Sequence, residues 1–207
     1  MKVLCVGRNY ARHTREMGVA TPESPIWFWK PDSSIVNDGE AVVVPAGIGE
    51  VHHEVELALR VGRALRRGTP QEALRHVDAA TVAVDVTARD LQAAAKKAGQ
   101  PWTQSKGYDT FCPLGPWRDL ARGDVPDLQA VRLRLSLDGQ VRQEGTTADM
   151  TWPVAELLAL ASAWTTLNPG DVLLTGTPEG VGPIRPGMNM EAEAVGIARL
   201  RNPVVAG

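Results

Sequence analysis

The sequence predicts a mainly β protein with a few short helices, of the α+β class. Gly (20 residues) and Pro (15 residues) are spread along the whole chain, which is typical of many turns between short strands. Apolar segments of strand length outnumber helical segments and do not alternate regularly with them, which argues against a doubly wound parallel sheet. A length of 207 residues fits one domain, and we expect residues 1–207 to form a single domain.

Strands are predicted where short apolar runs end at Gly or Pro. In residues 54–62, Val55, Leu57 and Leu59 fall on one face, and Glu54 and Glu56 fall on the other. The Asp-Gly pair at 138–139 between two such runs is the strongest hairpin signal in the chain. The predicted strands are 2–6, 26–29, 41–44, 54–62, 80–86, 131–137, 140–143 and 171–175, with two more in 189–205.

Four helices are predicted from capping residues and composition. Residues 8–17 are followed by Gly18, a typical residue after a helix C-terminus. Thr69 and Pro70 open a short helix in the N-cap and N1 positions. Residues 87–98 have Thr87 as the expected N-cap and Gly99 as the stop, and residues 153–167 carry an apolar stripe.

Composition excludes several classes of protein. The 22 basic and 24 acidic residues give a formal net charge of −2, so the chain has no basic excess with which to bind nucleic acid. No apolar run approaches the roughly 20 residues needed to span a bilayer. Cys5 and Cys112 are too few for a disulfide framework or a Cys-rich zinc site. We therefore expect a cytoplasmic protein that binds neither nucleic acid nor membrane.

Three carboxylates form the strongest candidate site. Glu54 and Glu56 project from one face of a strand, and such a pair repels unless a cation neutralises it. Asp85 lies in an otherwise apolar run, where a lone carboxylate is costly to bury. Together the three offer oxygen ligands, which favour Mg²⁺, Mn²⁺ or Ca²⁺ over zinc. A solvated strand face and a buried ion-paired Asp are the alternatives. Position 57 is Leu, so no zinc-protease motif follows His53.

A second candidate group is a histidine beside a glutamate. His13 and Glu16 are three residues apart on the predicted helix and share a face. A carboxylate beside an imidazole orients the ring, and the pair is suited to activating water. A surface polar pair is the alternative.

Further polar residues could bind an anionic substrate. Lys106 follows a polar, aromatic loop and could neutralise a carboxylate, and Arg89 and Gln92 lie one helical turn apart just beyond Asp85. Thr177 lies in a Gly-rich stretch that lacks the Lys-Ser/Thr pair of a phosphate loop, so we reject nucleotide binding. Thr177 could still donate its hydroxyl to a small substrate. A surface lysine is the default interpretation of Lys106, and Arg89 and Gln92 could simply face solvent.

Seven segments occur in the order found in one known family. The sequence resembles the fumarylacetoacetate hydrolase family, in its short single-domain branch, over nearly its whole length. The segments are GRNYARHTREMG (7–18), KPDSSI (30–35), HHEVELALRVG (52–62), DVTARDLQ (85–92), PWTQSKGYDTFCPLGP (101–116), GQVRQEG (139–145) and PGDVLLTGTPEGVGP (169–183).

The resemblance carries expectations for fold and site. It implies a mixed β-sandwich roll, a homodimer, and Mg²⁺ or Mn²⁺ held by Glu54, Glu56 and Asp85. It implies that His13 and Glu16 are a water-activating pair on a lid, that Lys106 stabilises substrate charge, and that further residues help to bind the substrate. These binding residues are Arg89, Gln92 and Thr177.

The expected activity is hydrolysis of the C–C bond of an acylpyruvate or fumarylpyruvate-type β-diketo acid, with release of pyruvate. A 2-hydroxyhepta-2,4-diene-1,7-dioate-type isomerase and an oxaloacetate decarboxylase remain alternatives, because each reaction passes through a similar enolate. A non-catalytic protein that binds metal and keto acid is the alternative of another class.

Overall fold

The computed structural model describes residues 1–121 and 126–207. Within these ranges strands predominate over helices, so the predicted mainly β class is confirmed. The strands are β1 (Val3–Gly7), β2 (Ile26–Lys30), β3 (Ile35–Asn37), β4 (Val42–Val44), β5 (Val51–His53), β6 (Val55–Val61), β7 (Val77–Val84), β8 (Thr87–Ala88), β9 (Cys112–Leu114), β10 (Arg118–Asp119), β11 (Arg132–Leu137), β12 (Gln140–Thr146), β13 (Val172–Leu174), β14 (Gly182–Pro183), β15 (Asn189–Ala194) and β16 (Ala198–Ala206). The α-helices are α1 (Ala11–Glu16), α2 (Pro70–Leu74), α3 (Arg89–Ala98), α4 (Thr103–Lys106) and α5 (Val154–Trp164).

The strands form two large sheets and a small one. The largest has the order β2-β1-β13-β6-β7-β9-β3, with β10 also paired to β7. The second has the order β12-β11-β15-β16-β4, and the third is β14-β5-β8. The pairs β1–β13, β3–β9 and β4–β16 are parallel and the other pairs are antiparallel, so the two large sheets are mixed.

The largest sheet is buried on both faces. Leu57 and Leu59 of β6 join one hydrophobic cluster with Leu133 and Leu135 of the second sheet. Ala58, on the opposite face of β6, belongs to a separate cluster that includes residues of β1 and β13. The predicted alternation along residues 54–62 is therefore confirmed, and Glu56 lies on the Ala58 side of the strand.

Several local signals in the sequence form the structures they predict. Thr69 accepts a hydrogen bond from the Glu72 backbone in a reciprocal capping box, with Pro70 in the first turn. Gly99 ends α3 with φ of +66°. Asp138 and Gly139, with φ of +50° and +77°, form the hairpin turn between β11 and β12.

Two helix predictions need correction because tertiary contacts replace helical hydrogen bonds. Thr87 is not an N-cap: it lies in β8 opposite His52, and α3 begins after Ala88 with no side-chain cap. The helix predicted over 8–17 begins only at Ala11, because the side chain of Asn9 hydrogen-bonds to Trp152 and Thr175. No helix in the described ranges is both long enough and apolar enough to cross a membrane.

Candidate active site

Antiparallel pairing brings the three predicted carboxylates together. Val55 of β6 lies opposite Val84 of β7, so Glu54 just before β6 meets Asp85 just after β7. The Asp85 amide donates to the Glu54 carbonyl oxygen at 2.8 Å. One ligand oxygen from each of Glu54, Glu56 and Asp85 lies within 4.8 Å of the others. Asp85 was predicted inside a strand, but it follows the strand end, where the chain turns towards β8.

All three carboxylates are at most 5% exposed, so their charges must be balanced by neighbours. The Lys106 ammonium lies 2.7 Å from Glu54 and 2.5 Å from Asp85. Arg89 donates to the other oxygen of Glu54 at 2.7 Å. In the described part of the chain Glu56 has no cationic partner, and its side chain accepts a hydrogen bond from the Gly176 amide at 2.6 Å.

This uneven pairing gives the carboxylates different acidities. Burial opposes the charge on Glu54, but Lys106 and Arg89 hold its pKa well below the usual range. Burial raises the pKa of Glu56 well above its usual value, and the nearby charges of Asp85 and Glu54 raise it further. A hard divalent cation would supply the positive charge that Glu56 lacks. The all-oxygen donor set therefore fits Mg²⁺ or Mn²⁺.

The predicted His13–Glu16 pair is formed. His13 Nδ1 lies 3.2 Å from Glu16 Oε2, and the His13 residue is only 6% exposed. The Gly180 amide donates to both oxygens of Glu16, at 3.1 and 3.2 Å. This contact ties α1 to the Gly-rich stretch after β13, so Glu16 orients the imidazole and is itself held in place.

The three predicted binding residues line the same cleft as the carboxylates and His13. Arg89 donates to His52, Gln92 and Glu54, so its guanidinium is already engaged on three sides. Thr177 accepts a hydrogen bond from Gln143 and retains its hydroxyl proton for donation. The structure therefore brings all nine predicted site residues to one cleft. Eight of them line it, and Glu16 is joined to it through His13.

Sequence reasoning missed two buried residues that position the site. The Lys30 ammonium lies 2.7 Å from Asp85 and donates to the backbone oxygen of Lys106. Gln143 binds His53 and the Val55 amide through its oxygen, and Thr177 through its nitrogen. Both residues lie in segments that carry the family resemblance, but only long-range contacts show what they do.

The cleft also contains cationic and aromatic side chains that the sequence did not single out. Arg8, Lys96 and Trp102 line it beside the carboxylate cluster. Arg8 adopts φ of +63°, an uncommon backbone conformation for a residue other than glycine. No sequence signal for this conformation was evident.

Comparisons with known proteins point to one family. A family model described as fumarylacetoacetate (FAA) hydrolase, C-terminal, matches residues 2–205. The chain is 46% identical over 186 residues to oxaloacetate tautomerase YcgM of Escherichia coli (strain K12), covering 90% of this chain and 84% of that protein. It is 44% identical over 200 residues to the mitochondrial oxaloacetate tautomerase FAHD1 of Arabidopsis thaliana, covering 97% and 89%.

A similar solved structure is that of fumarylpyruvate hydrolase from Pseudomonas aeruginosa in complex with Mn²⁺ and pyruvate. The TM-score is 0.95 at 34% sequence identity, and the match covers 100% of this chain and 90% of that one.

Proposed function

The chain belongs to the fumarylacetoacetate hydrolase family, whose members are enzymes with metal-dependent catalysis, and we propose on that premise that it acts on short α-keto acids through their enolates. One observation carries the proposal: His13, which is paired with Glu16, and a buried cluster of three carboxylates line the same cleft. The first group can move a proton, and the second can hold a divalent cation.

Glu54, Glu56 and Asp85 would hold the ion, which we propose is Mg²⁺ or Mn²⁺. When bound, the ion supplies positive charge that stabilises an enolate and coordinates substrate oxygens. Lys106 adds a fixed ammonium group at the same place, because Glu54 and Asp85 hold it and raise its pKa against the effect of burial. Lys106 therefore remains protonated while substrate charge develops beside it.

His13 is the proposed acid–base residue. In the tautomerisation of oxaloacetate from its enol to its keto form, His13 would take the proton of the enol hydroxyl and return it to C3, so that no proton is gained or lost overall. Glu16 would hold the imidazole in position through Nδ1, leaving Nε2 for the transfer. We propose this reaction first, because both curated relatives described above carry the name oxaloacetate tautomerase.

Hydrolysis of an acylpyruvate or fumarylpyruvate is the second candidate. The His13–Glu16 pair favours it, since His13 could take a proton from water as the water attacks the distal carbonyl. The C–C bond would then break with its electrons on the pyruvate enolate, which is protonated to pyruvate, while the acyl part leaves as a carboxylate. The similar solved structure is named for this activity.

A panel of substrates tests both candidates. Enol–keto conversion of oxaloacetate, hydrolysis of fumarylpyruvate and acetylpyruvate, and decarboxylation of oxaloacetate should be measured with Mg²⁺, with Mn²⁺ and with EDTA. We expect tautomerisation to be the fastest reaction and to be lost in EDTA. Hydrolysis as the fastest reaction would favour the second candidate, and no metal-dependent turnover of any keto acid would favour the non-catalytic alternative.

We further propose that the protein is a cytoplasmic homodimer and that each chain forms a single catalytic domain. The dimer follows from the family resemblance. Three tryptophans pack together at the surface and are candidates for the interface: Trp164 is 47% exposed and contacts Trp27 and Trp29. Sedimentation at micromolar concentration should give a dimer, and a clean monomer would contradict this proposal.

A further inference from the structure

Two cationic side chains in the cleft have no anionic partner in the described part of the chain. Arg89 and Lys106 are paired with the carboxylate cluster. Arg8 and Lys96 also line the cleft, but no ion pair or hydrogen bond joins either side chain to a carboxylate within residues 1–121 and 126–207. The cleft therefore contains two positive charges beyond those that balance Glu54 and Asp85.

Both unpaired cations lie against one indole ring. The Arg8 guanidinium carbon is 5.9 Å and the Lys96 ammonium 5.2 Å from the centroid of Trp102. Trp102 also packs against Phe28 at a centroid distance of 5.8 Å and against the backbone of Gly7, where an added Cβ would come within 2.8 Å of the indole ring. The two cations therefore share one indole ring that is held in place in the cleft, and each acts on the charge of the other.

The placement of Arg8 and Lys96 is energetically unfavourable for both residues. Arg8 has a left-handed backbone, and its Nε atom is buried with no hydrogen-bond partner. Burial, together with the charges of Arg89 and Arg8, lowers the pKa of Lys96 to about 8. Costs of this kind are often found at ligand-binding sites, where a ligand supplies the missing interactions. An anion bound in the cleft would supply both missing interactions: a hydrogen-bond acceptor for Arg8 and a negative charge beside Lys96.

We propose that Arg8 and Lys96 bind the distal carboxylate of a dicarboxylic keto acid. This inference rests on the proposed function, since it places the keto-acid end of the same substrate at the carboxylate cluster. Oxaloacetate and fumarylpyruvate both carry a second carboxylate, whereas acetylpyruvate does not. Arg8 and Lys96 would therefore select dicarboxylic over monocarboxylic keto acids.

The test compares two ligands that differ only at the distal group. Oxaloacetate and 2-oxobutyrate have the same four-carbon chain, ending in a carboxylate and a methyl group respectively. Their dissociation constants should be measured with Mg²⁺ by rapid mixing, before turnover consumes the keto acid. The variants are Lys96→Met and Arg8→Asn, because Asn tolerates the left-handed backbone at position 8. Lys97→Met, one residue along on the exposed side of α3, is the matched control.

We expect the wild-type protein to bind oxaloacetate more tightly than 2-oxobutyrate. Each variant should reduce this preference roughly ten- to a hundredfold, as expected for the loss of a hydrogen bond to a charged group. Lys97→Met should keep the wild-type preference, and Lys96→Arg should retain most of it.

Several outcomes would overturn the inference. They include equal wild-type affinity for the two ligands, an equal loss of both ligands in Lys96→Met and Arg8→Asn, and the same change of preference in Lys97→Met. If neither ligand binds with Mg²⁺ present, the proposed function fails together with this inference. Weak binding of 2-oxobutyrate with an unaltered preference in the variants refutes the inference alone.

Discussion

Lys30 and Asp85 form a buried ion pair beneath the carboxylate cluster, with 2.7 Å between the ammonium nitrogen and Oδ1. The same ammonium donates to the backbone oxygens of Val86, Lys106 and Phe111. One side chain from β2 thus fixes the segment that carries Asp85 and the C-terminal end of α4, which carries Lys106. Lys30 therefore positions the carboxylate cluster although it does not itself line the cleft.

Replacement of Lys30 by Met should therefore destabilise the protein. Removing one partner of a buried ion pair leaves an uncompensated charge and costs roughly 3–5 kcal/mol. Urea titration of the free energy of unfolding measures this loss. Lys2→Met is the control, because Lys2 pairs with Asp171 near the surface and should cost about 1 kcal/mol or less. Equal losses in the two variants would show that the buried pair has no special role.

Glu56→Ala should abolish binding of Mn²⁺ and activity while the protein remains folded. Glu56 has no cationic partner in the described ranges, so its removal leaves no buried cation unpaired. Mn²⁺ binding followed by electron paramagnetic resonance, together with the circular dichroism spectrum, checks both parts. Glu50→Gln, at an exposed glutamate near the site, is the control. Retained metal binding in Glu56→Ala would exclude Glu56 as a ligand.

His13→Ala should reduce turnover by roughly two to four orders of magnitude, as expected for loss of a general acid–base group. Metal affinity should be unchanged, because His13 is not among the three grouped carboxylate ligands. Glu16→Gln should have a smaller effect on kcat, since an amide can still contact Nδ1. His76→Ala, at a histidine near the surface, is the control. Normal turnover in His13→Ala would mean that another group transfers the proton.

Oxaloacetate affinity should fall as pH rises through about 8. The pKa of Lys96 is lowered to about 8, so its positive charge is present below that pH and is lost above it. The charged groups that act on Lys96 are Arg89, Arg8, Glu54 and Lys106. Arginines stay charged at these pH values, the pKa of Glu54 lies far below them, and that of Lys106 is raised.

Dissociation constants for oxaloacetate between pH 7 and 9 test this expectation. Lys96→Arg is the decisive comparison, because arginine keeps its charge over this range. The variant should lose the decrease in affinity that the wild-type protein shows. A decrease that persists in Lys96→Arg would assign the titration to a different group.

Features set by neighbouring residues were predictable from the sequence. The Asp138-Gly139 turn and the Thr69 capping box depend on residues within a few positions, and both are confirmed. The period of two along β6 likewise placed Glu56 on the face opposite Leu57 and Leu59. These local rules, with the family resemblance, were enough to identify the residues of the carboxylate cluster.

Features set by distant contacts were not predictable in the same way. Thr87 was expected to cap a helix, but pairing with His52 draws it into a strand. The roles of Lys30 and Gln143 depend on partners more than 50 residues away in the sequence. No local pattern distinguishes a lysine that will be buried beneath a carboxylate from one that faces solvent.

The pairing of β1 with β13 has a consequence for how the protein forms during synthesis. β13 lies between β1 and β6, and Lys2 hydrogen-bonds to Asp171, 169 residues later in the sequence. The strand that leads into α1 can therefore pair with β2 early, but it stays without its second partner, β13, until most of the chain has left the ribosome. Closing so long a loop is entropically expensive and favours slow folding. A nascent chain that ends before residue 172 already contains every proposed metal ligand, but it lacks the strand that joins them to His13.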